Sequence, residues 1–267
     1  MAASQDVDGP LDGKVIVVTG ASRGIGKGLA LGLARLGAAV VCAARTVKEE
    51  PGGLPGTIHN TVDAIRAEGG RAVAVRCDIG DADDIQALID ATVAELGRLD
   101  VLVNNAMAST RALFADATPQ QWDESMRVNV RSLFVSAKAV VPVMAANGGG
   151  SIVNISSGAA GHDVGPFMPP GYLVYTVAKA ALERFSTALA AEVAPLGIAV
   201  NALRPGAVKT ELSTHELGDD YDWSGWKTPD SVVGPVAFLA AQTGSGLTGR
   251  VLDVAGFGRE WGRAELA

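Results

Sequence analysis

Short runs of β-branched and aliphatic residues alternate with helix-period stretches along nearly the whole 267-residue chain. No other feature narrows the fold as far. The runs lack the in–out alternation of a half-exposed strand, so they suit strands buried on both faces of a parallel sheet. Residues 14–19, 38–44, 71–77, 100–104, 151–156, 198–203 and 250–254 read as strands. Residues 25–37, 58–68, 81–96, 118–146, a stretch through Tyr175 to 196, and 230–241 read as helices. Parallel strands need a crossover between them, and a helix is the usual one. The pattern predicts an α/β fold, a doubly wound parallel sheet of about seven strands with helices on both faces, in a single domain over 1–267. Ligands of such sheets bind outside the carboxyl ends of the strands. Three segments interrupt the alternation: a Pro/Gly-rich connection at 46–57, a loop at 158–171, and an irregular stretch at 208–228 holding Trp223 and Trp226. Long loops inside a compact domain are often functional. Residues 1–12 carry no pattern and are expected to be flexible.

Charge and composition exclude several partners. Lys and Arg total 22 against 29 Asp and Glu, a formal charge of −7, which speaks against a nucleic-acid phosphate partner. The first ten residues lack a basic segment followed by an apolar stretch, so no secretory signal is expected. No apolar run reaches the roughly 18 residues of a membrane span, and the longest, at 29–44, is broken by Arg35. Cys42 and Cys77 lie in apolar runs and read as buried thiols of a cytoplasmic protein. His59, His162 and His215 are too scattered for a metal site.

The first strand runs into Thr19-Gly-Ala-Ser-Arg-Gly-Ile-Gly26. Gly20, Gly24 and Gly26 let the backbone turn tightly and approach a pyrophosphate, which then meets the N-terminus of the next helix. This predicts a dinucleotide site. A Walker-type loop does not fit, since Ala21 stands at its first glycine and Gly28 follows Lys27. The second strand ends in Ala43-Ala44-Arg45-Thr46, with no acid to bind ribose hydroxyls. A guanidinium there suits a 2′-phosphate, and Arg23 in the glycine loop offers a second cation. The cofactor expected is NADP(H).

Tyr175 and Lys179 stand four residues apart, on one face of a helix. An ammonium beside a phenol lowers its pKa and lets it exchange a proton with a substrate oxygen. Together with Thr19-Gly-x-x-x-Gly-x-Gly26, Asn104-Asn105-Ala106, Asn129, Ser157 and Pro205-Gly206, in that order, the chain resembles the short-chain dehydrogenase/reductase family over essentially its full length. Residues 45–58 look like the hydroxysteroid-dehydrogenase-like branch, which has a similar long loop. The resemblance implies a Rossmann-type fold and an NADP(H)-dependent oxidoreductase interconverting a secondary alcohol and a ketone or aldehyde.

It also implies site roles. Tyr175 would be the general acid or base, and Lys179 would lower its pKa and bind the nicotinamide ribose. Ser157 would hold the substrate oxygen, in preference to Ser156. Asn129 would hold a water that links Lys179 to solvent. Gly20, Ser22, Arg23, Gly24, Ile25, Gly26, Arg45 and Thr46 would hold the phosphate side of the cofactor. Asp78 and Ile79 would bind the adenine. Asn105, Ala106, Pro205, Gly206 and Val208 would line the site, and Thr210 would meet the nicotinamide carboxamide.

Two departures stand out. Met107 takes a position commonly held by Gly, and the interval from Ser157 to Tyr175 is a long 18 residues. Phe167 and Met168 in that interval are expected to wall the pocket, with His162 an ordinary polar residue. Leu212, Leu217, Tyr221, Trp223 and Trp226 suit residues 208–228 to a lid over a hydrophobic small-molecule substrate. The resemblance further implies a homo-oligomer, a tetramer or dimer, built on the helix over 118–146, the Tyr175 helix and the last strand. The tail with Trp261 packs on a neighbour or frays. Two other readings stay open: NAD(H) preference, and a non-catalytic NADP-binding regulator.

Overall fold

The computed structural model describes residues 9–161 and 170–262. Seven strands form one all-parallel sheet: β1 (Val15–Thr19), β2 (Ala39–Ala44), β3 (Ala72–Arg76), β4 (Val101–Asn104), β5 (Gly150–Ile155), β6 (Ile198–Arg204) and β7 (Val251–Asp253). Their order is β3-β2-β1-β4-β5-β6-β7. The chain winds outward from β1 to β3, then returns to the other side of β1 with β4. That reversal leaves a crevice above the carboxyl ends of β1 and β4, where such sheets bind ligands.

Helices cover both faces. α1 (Gly24–Arg35), α2 (Ile58–Ala67) and α8 (Val233–Ala240) close one core with Leu29, Leu33, Ile58, Ile65, Val236 and Leu239. α3 (Ala82–Leu96), α5 (Ser132–Ala146) and α6 (Leu173–Val193) close the other with Ile85, Leu88, Val140, Met144 and Val193. Local signals set the helix ends. Asp81 accepts the N–H groups of Asp83 and Asp84 to start α3, and Gly97 in the left-handed region ends it. Thr118 and Gln121 form a reciprocal capping box at α4 (Pro119–Met126), with a proline in its first turn.

The long helix expected over 118–146 is continuous, but it contains a π turn at Arg127–Arg131 between α4 and α5. Such bulges mark functional sites often, and Asn129 lies in this one. By length and composition Pro119–Ala146 could cross a membrane. Here Leu133, Val140 and Met144 are buried against the sheet and its neighbouring helices.

Four expectations need correction. Leu11, within the stretch expected to be flexible, is anchored: it is buried and its N–H bonds the Leu36 carbonyl. The irregular segment 208–228 contains α7 (Glu211–Leu217), begun by a second capping box between Thr210 and Ser213. Trp261 neither frays nor waits for a neighbour; it packs on Phe238 and Phe257 and donates to the Asp253 carbonyl. Residues 229–232 form a 3-10 turn ahead of α8. His162, Phe167 and Met168 lie outside the described residues, as do residues 1–8.

Candidate active site

The glycine loop is built by close backbone contact. Gly20 and Gly24 have φ of +71° and +57°, a region that disfavours side chains. A Cβ at Gly26 would lie 2.2 Å from the Gly20 carbonyl oxygen. Thr19 braces this turn from below, donating to Val103 O and accepting from the N–H groups of Asn105 and Ala106. Asn105 adds a bond from Nδ2 to Thr19 O at 2.9 Å. Asn105 therefore fixes the loop to the end of β4, a bracing role beyond the lining role expected. Thr19 was missed as a site residue, although it directly precedes Gly20.

The residues fit a dinucleotide. The α1 N-cap, Arg23, makes no side-chain cap, and the first turn holds no acid, so helix N–H groups are offered to an anion. Glu211, at the start of α7, reaches this point, its carboxylate accepting the Gly24 N–H at 2.8 Å. Thr210 lies beside it, within 3.3 Å of where a Gly24 Cβ would be. Thr210 caps α7 here, accepting the Ser213 N–H.

The two cations differ. Arg23 is committed to the protein, donating to the carbonyls of Leu54, Pro55 and Gly56. It closes the 46–57 loop onto the glycine turn, so it is not the spare cation the sequence suggested. Arg45 is exposed at the end of β2, and no hydrogen bond or ion pair holds it among the described residues. Beside it, the Thr46 carbonyl accepts the Ile58 N–H. Ser22 is buried, and Ile25 packs on the core beside it. Across the crevice, Asp78 closes a turn by accepting the Gly80 N–H, with Ile79 half-buried between them. Pro205 and Val208 are buried, flanking an exposed Gly206 at φ +76°.

α6 carries the chemical groups. Tyr175, Lys179 and Glu183 recur every four residues and project from one face. Ser157, after β5, hydrogen-bonds the Tyr175 phenol. The Ser157 oxygen also accepts the Ala159 N–H at 3.2 Å, which leaves its proton for the phenol or a ligand. Its neighbour Ser156 is buried and turned away, donating to Glu183 Oε1 at 2.7 Å.

Electrostatics depart from expectation. Burial pushes the Tyr175 phenol above its usual value, and the Ser157 bond pulls it part of the way back. Lys179 is fully buried, with Nζ donating to the Ile155 carbonyl at 2.7 Å and lying 5.8 Å from the Tyr175 ring centroid. Desolvation holds it down at about 8, opposed by the carboxylate of Glu183. The pair is close but does not yet lower the phenol, because the loss of solvent outweighs a cation aimed at a carbonyl.

Asn129 also differs. Its amide donates to Ala108 O and Ser125 Oγ, and its oxygen accepts the Ala108 N–H. The side chain is fully used in holding the segment after β4, so any water relay would have to use the backbone of the π turn.

Behind Lys179 lies a pair that sequence reasoning missed. Arg204, at the end of β6, binds Glu183 through two bonds of 2.7 and 2.8 Å. The four-residue spacing after Lys179 was the available signal for Glu183. The free thiols Cys42 and Cys77 are both pushed up to about 12 by burial, which makes them inert. No cluster of metal-ligating residues occurs among the described residues.

A reversed parallel sheet, a glycine cradle at the reversal and a Ser–Tyr–Lys cluster beside it define an α/β oxidoreductase. The family model described as short chain dehydrogenase matches residues 14–220. An uncharacterized oxidoreductase of Methylorubrum extorquens is 38% identical over 259 residues, covering 92% of this chain and 98% of its own length. A 7α-hydroxysteroid dehydrogenase structure, with NADH and 7-oxo glycochenodeoxycholic acid, is 29% identical with a TM-score of 0.81, covering 94% of this chain and 96% of that one. A Beutenbergia cavernae structure, assigned as an NAD(P)-dependent gluconate 5-dehydrogenase with NADP at low occupancy, is 34% identical with a TM-score of 0.78, covering 91% and 96%. The chain belongs to the short-chain dehydrogenase/reductase family.

Proposed function

We propose that this protein is an NADP(H)-dependent oxidoreductase that interconverts a secondary alcohol and a ketone or aldehyde. The observation that carries the reading is the Ser157–Tyr175–Lys179 cluster beside the glycine cradle. A bound nicotinamide supplies or accepts the hydride. Ser157 orients the substrate oxygen with its free proton, and Tyr175 gives that oxygen a proton in reduction or removes it in oxidation. Lys179 favours the phenolate once a ligand draws it from the Ile155 carbonyl. The π turn at Asn129, packed against α6, lies where a backbone relay would replace the Tyr175 proton.

Arg45 supports the choice of NADP(H). Its guanidinium is exposed and unengaged at the end of β2, where a 2′-phosphate would meet it. The lid supports an apolar substrate: Tyr221, Trp223 and Trp226 pack edge-to-face with centroids 5.0 to 5.8 Å apart. Phe134 on α5 and Leu173 and Val177 on α6 are exposed, which supports a homo-oligomer on the faces named from sequence. A cytoplasmic setting accords with the two free buried thiols.

The test is loss of nicotinamide absorbance with NADPH and NADH in parallel against a panel of ketones and aldehydes. Turnover should favour NADPH, and Arg45→Asp should reverse that preference by about 10-fold or more in each direction, since it exchanges a charge-assisted bond for repulsion. An unchanged preference after the substitution would remove Arg45 from the site. Cofactor bound without turnover on the panel, with no effect of Tyr175→Phe, would instead favour the regulator reading.

Glu211 gives a second prediction. Its carboxylate holds an α1 N–H that a pyrophosphate would share, so Glu211→Gln should tighten NADPH binding about 3- to 10-fold, the scale of a charge at a helix terminus. Titration by NADPH fluorescence reads this directly. Weaker binding would mean that Glu211 organises the loop instead of competing for it.

A further inference from the structure

We infer that Arg111 is an anion seat in the substrate cleft, and that the substrate of the reaction proposed above carries a carboxylate. The inference rests on that oxidoreductase reading and names its substrate class. Arg111 lies in the segment after β4, which is pinned to the start of α6 by a bond from Ala112 N–H to the Gly171 carbonyl at 3.1 Å. Its guanidinium lies over the Tyr172 ring, 4.4 Å from the centroid. Tyr172 in turn meets Tyr175 edge-on, with centroids 6.1 Å apart. The cation is therefore no farther from the Tyr175 ring than those two contacts added together, within the reach of one small molecule. Its charge is also felt at the phenol, where it opposes the effect of burial.

The guanidinium is held but not used up. The ring contact engages its face, whereas its five N–H donors lie along its edge. Glu216, on α7, forms an ion pair with it at 2.5 Å. Arg111 keeps 38% of its side-chain surface exposed, against 21% for Glu216. The guanidinium side of the pair meets solvent, so a second carboxylate can reach it. The fork geometry suits a carboxylate better than a neutral oxygen. In a chain with a net charge of −7, a cation fixed beside the candidate general acid is a specific attraction for an acidic substrate. Glu216 is the internal carboxylate that such a substrate displaces or joins, and it belongs to the lid.

The experiment uses the NADPH-loaded enzyme and a series of straight-chain keto acids of increasing length, each beside its methyl ester. The readout is the ratio of kcat/KM for acid over ester. Wild type should favour the acid. Arg111→Met should reduce that ratio at least ~10-fold, the effect of one lost charge-assisted pair. Glu216→Gln, which removes the competing charge, should raise it about threefold, and it keeps the test valid if Arg111→Met misfolds. Equal treatment of acid and ester by wild type overturns the inference, as does a loss at Arg111→Met that is the same for both, the mark of a lid tether. Turnover of neutral ketones without acid preference sinks the inference alone. Bound NADPH with no turnover on any carbonyl removes the oxidoreductase reading, and the inference falls with it.

Discussion

Lys179→Met should lower turnover ~10²-fold or more and yet raise the melting temperature at neutral pH. The ammonium is fully buried and its pKa is held down at about 8, from an ordinary 10.5. A displacement of that size means that the folded protein bears a cost of about 3 kcal/mol for keeping the group charged. The cost is present in full below pH 8. It lifts as pH rises from about 8 to 10.5, because there the unfolded chain still binds the proton that the folded protein has released. Methionine has a similar length and removes the charge. It also leaves the Ile155 carbonyl without the donor it now has at 2.7 Å, a loss of about 1–3 kcal/mol. The net gain at pH 7 is up to about 2 kcal/mol, or several degrees for a domain of this size. It should disappear by pH 10. Thermal melts of both proteins at pH 7 and pH 10 decide the matter. A variant that melts lower at pH 7 than wild type, with the deficit shrinking at pH 10, would contradict the assignment of Lys179 as a strained, functional group.

Glu183→Gln is expected to destabilise the protein by about 3 kcal/mol, near the lower end for breaking a buried ion pair. Glu183 accepts three charge-assisted or hydroxyl bonds, two from Arg204 and one from Ser156. The side chains are only 11% and 23% exposed. Losing the negative charge leaves Arg204 with Asp253 at 3.8 Å as its remaining carboxylate, and that residue is more than half exposed. A drop in melting temperature of about 6–12 °C follows from the size of the domain. The double substitution Glu183→Leu with Arg204→Met should recover most of it, since neither charge is then buried alone. A single variant that melts within 2 °C of wild type would show that the pair is not a structural tie. The same substitution removes the carboxylate that faces Lys179, so its pH–rate profile should also move, the lysine losing its proton at lower pH.

Fold and site were legible to different depths. The seven strands and their helices could be read because parallel strands buried on both faces must be continuously apolar, and because glycine, proline and capping residues punctuate the crossovers between them. The glycine cradle could be read for a similar reason: its backbone approaches itself so closely that Gly20 and Gly26 admit no side chain. Helical spacing put Tyr175 and Lys179 on one face, and the ordered motifs around them marked that face as a candidate site. These are local properties, each contained within a few residues of chain.

What the tertiary structure decided involves partners distant in sequence. Arg23 became a brace and Arg45 stayed free only because the 46–57 loop folds its carbonyls onto one guanidinium and not the other. Ser156 and Ser157 are identical side chains in adjacent positions; strand alternation turns one to Glu183 and the other to Tyr175. The carboxylate of Glu211 meets Gly24 across 187 residues of chain, and nothing nearby in sequence marks either as the other's partner. The effect of Lys179 on Tyr175 is likewise a tertiary matter. Spacing on a helix places two side chains on one face, but their protonation depends on how much solvent the packed sheet and neighbouring helices remove, and on which carbonyl the ammonium finds there.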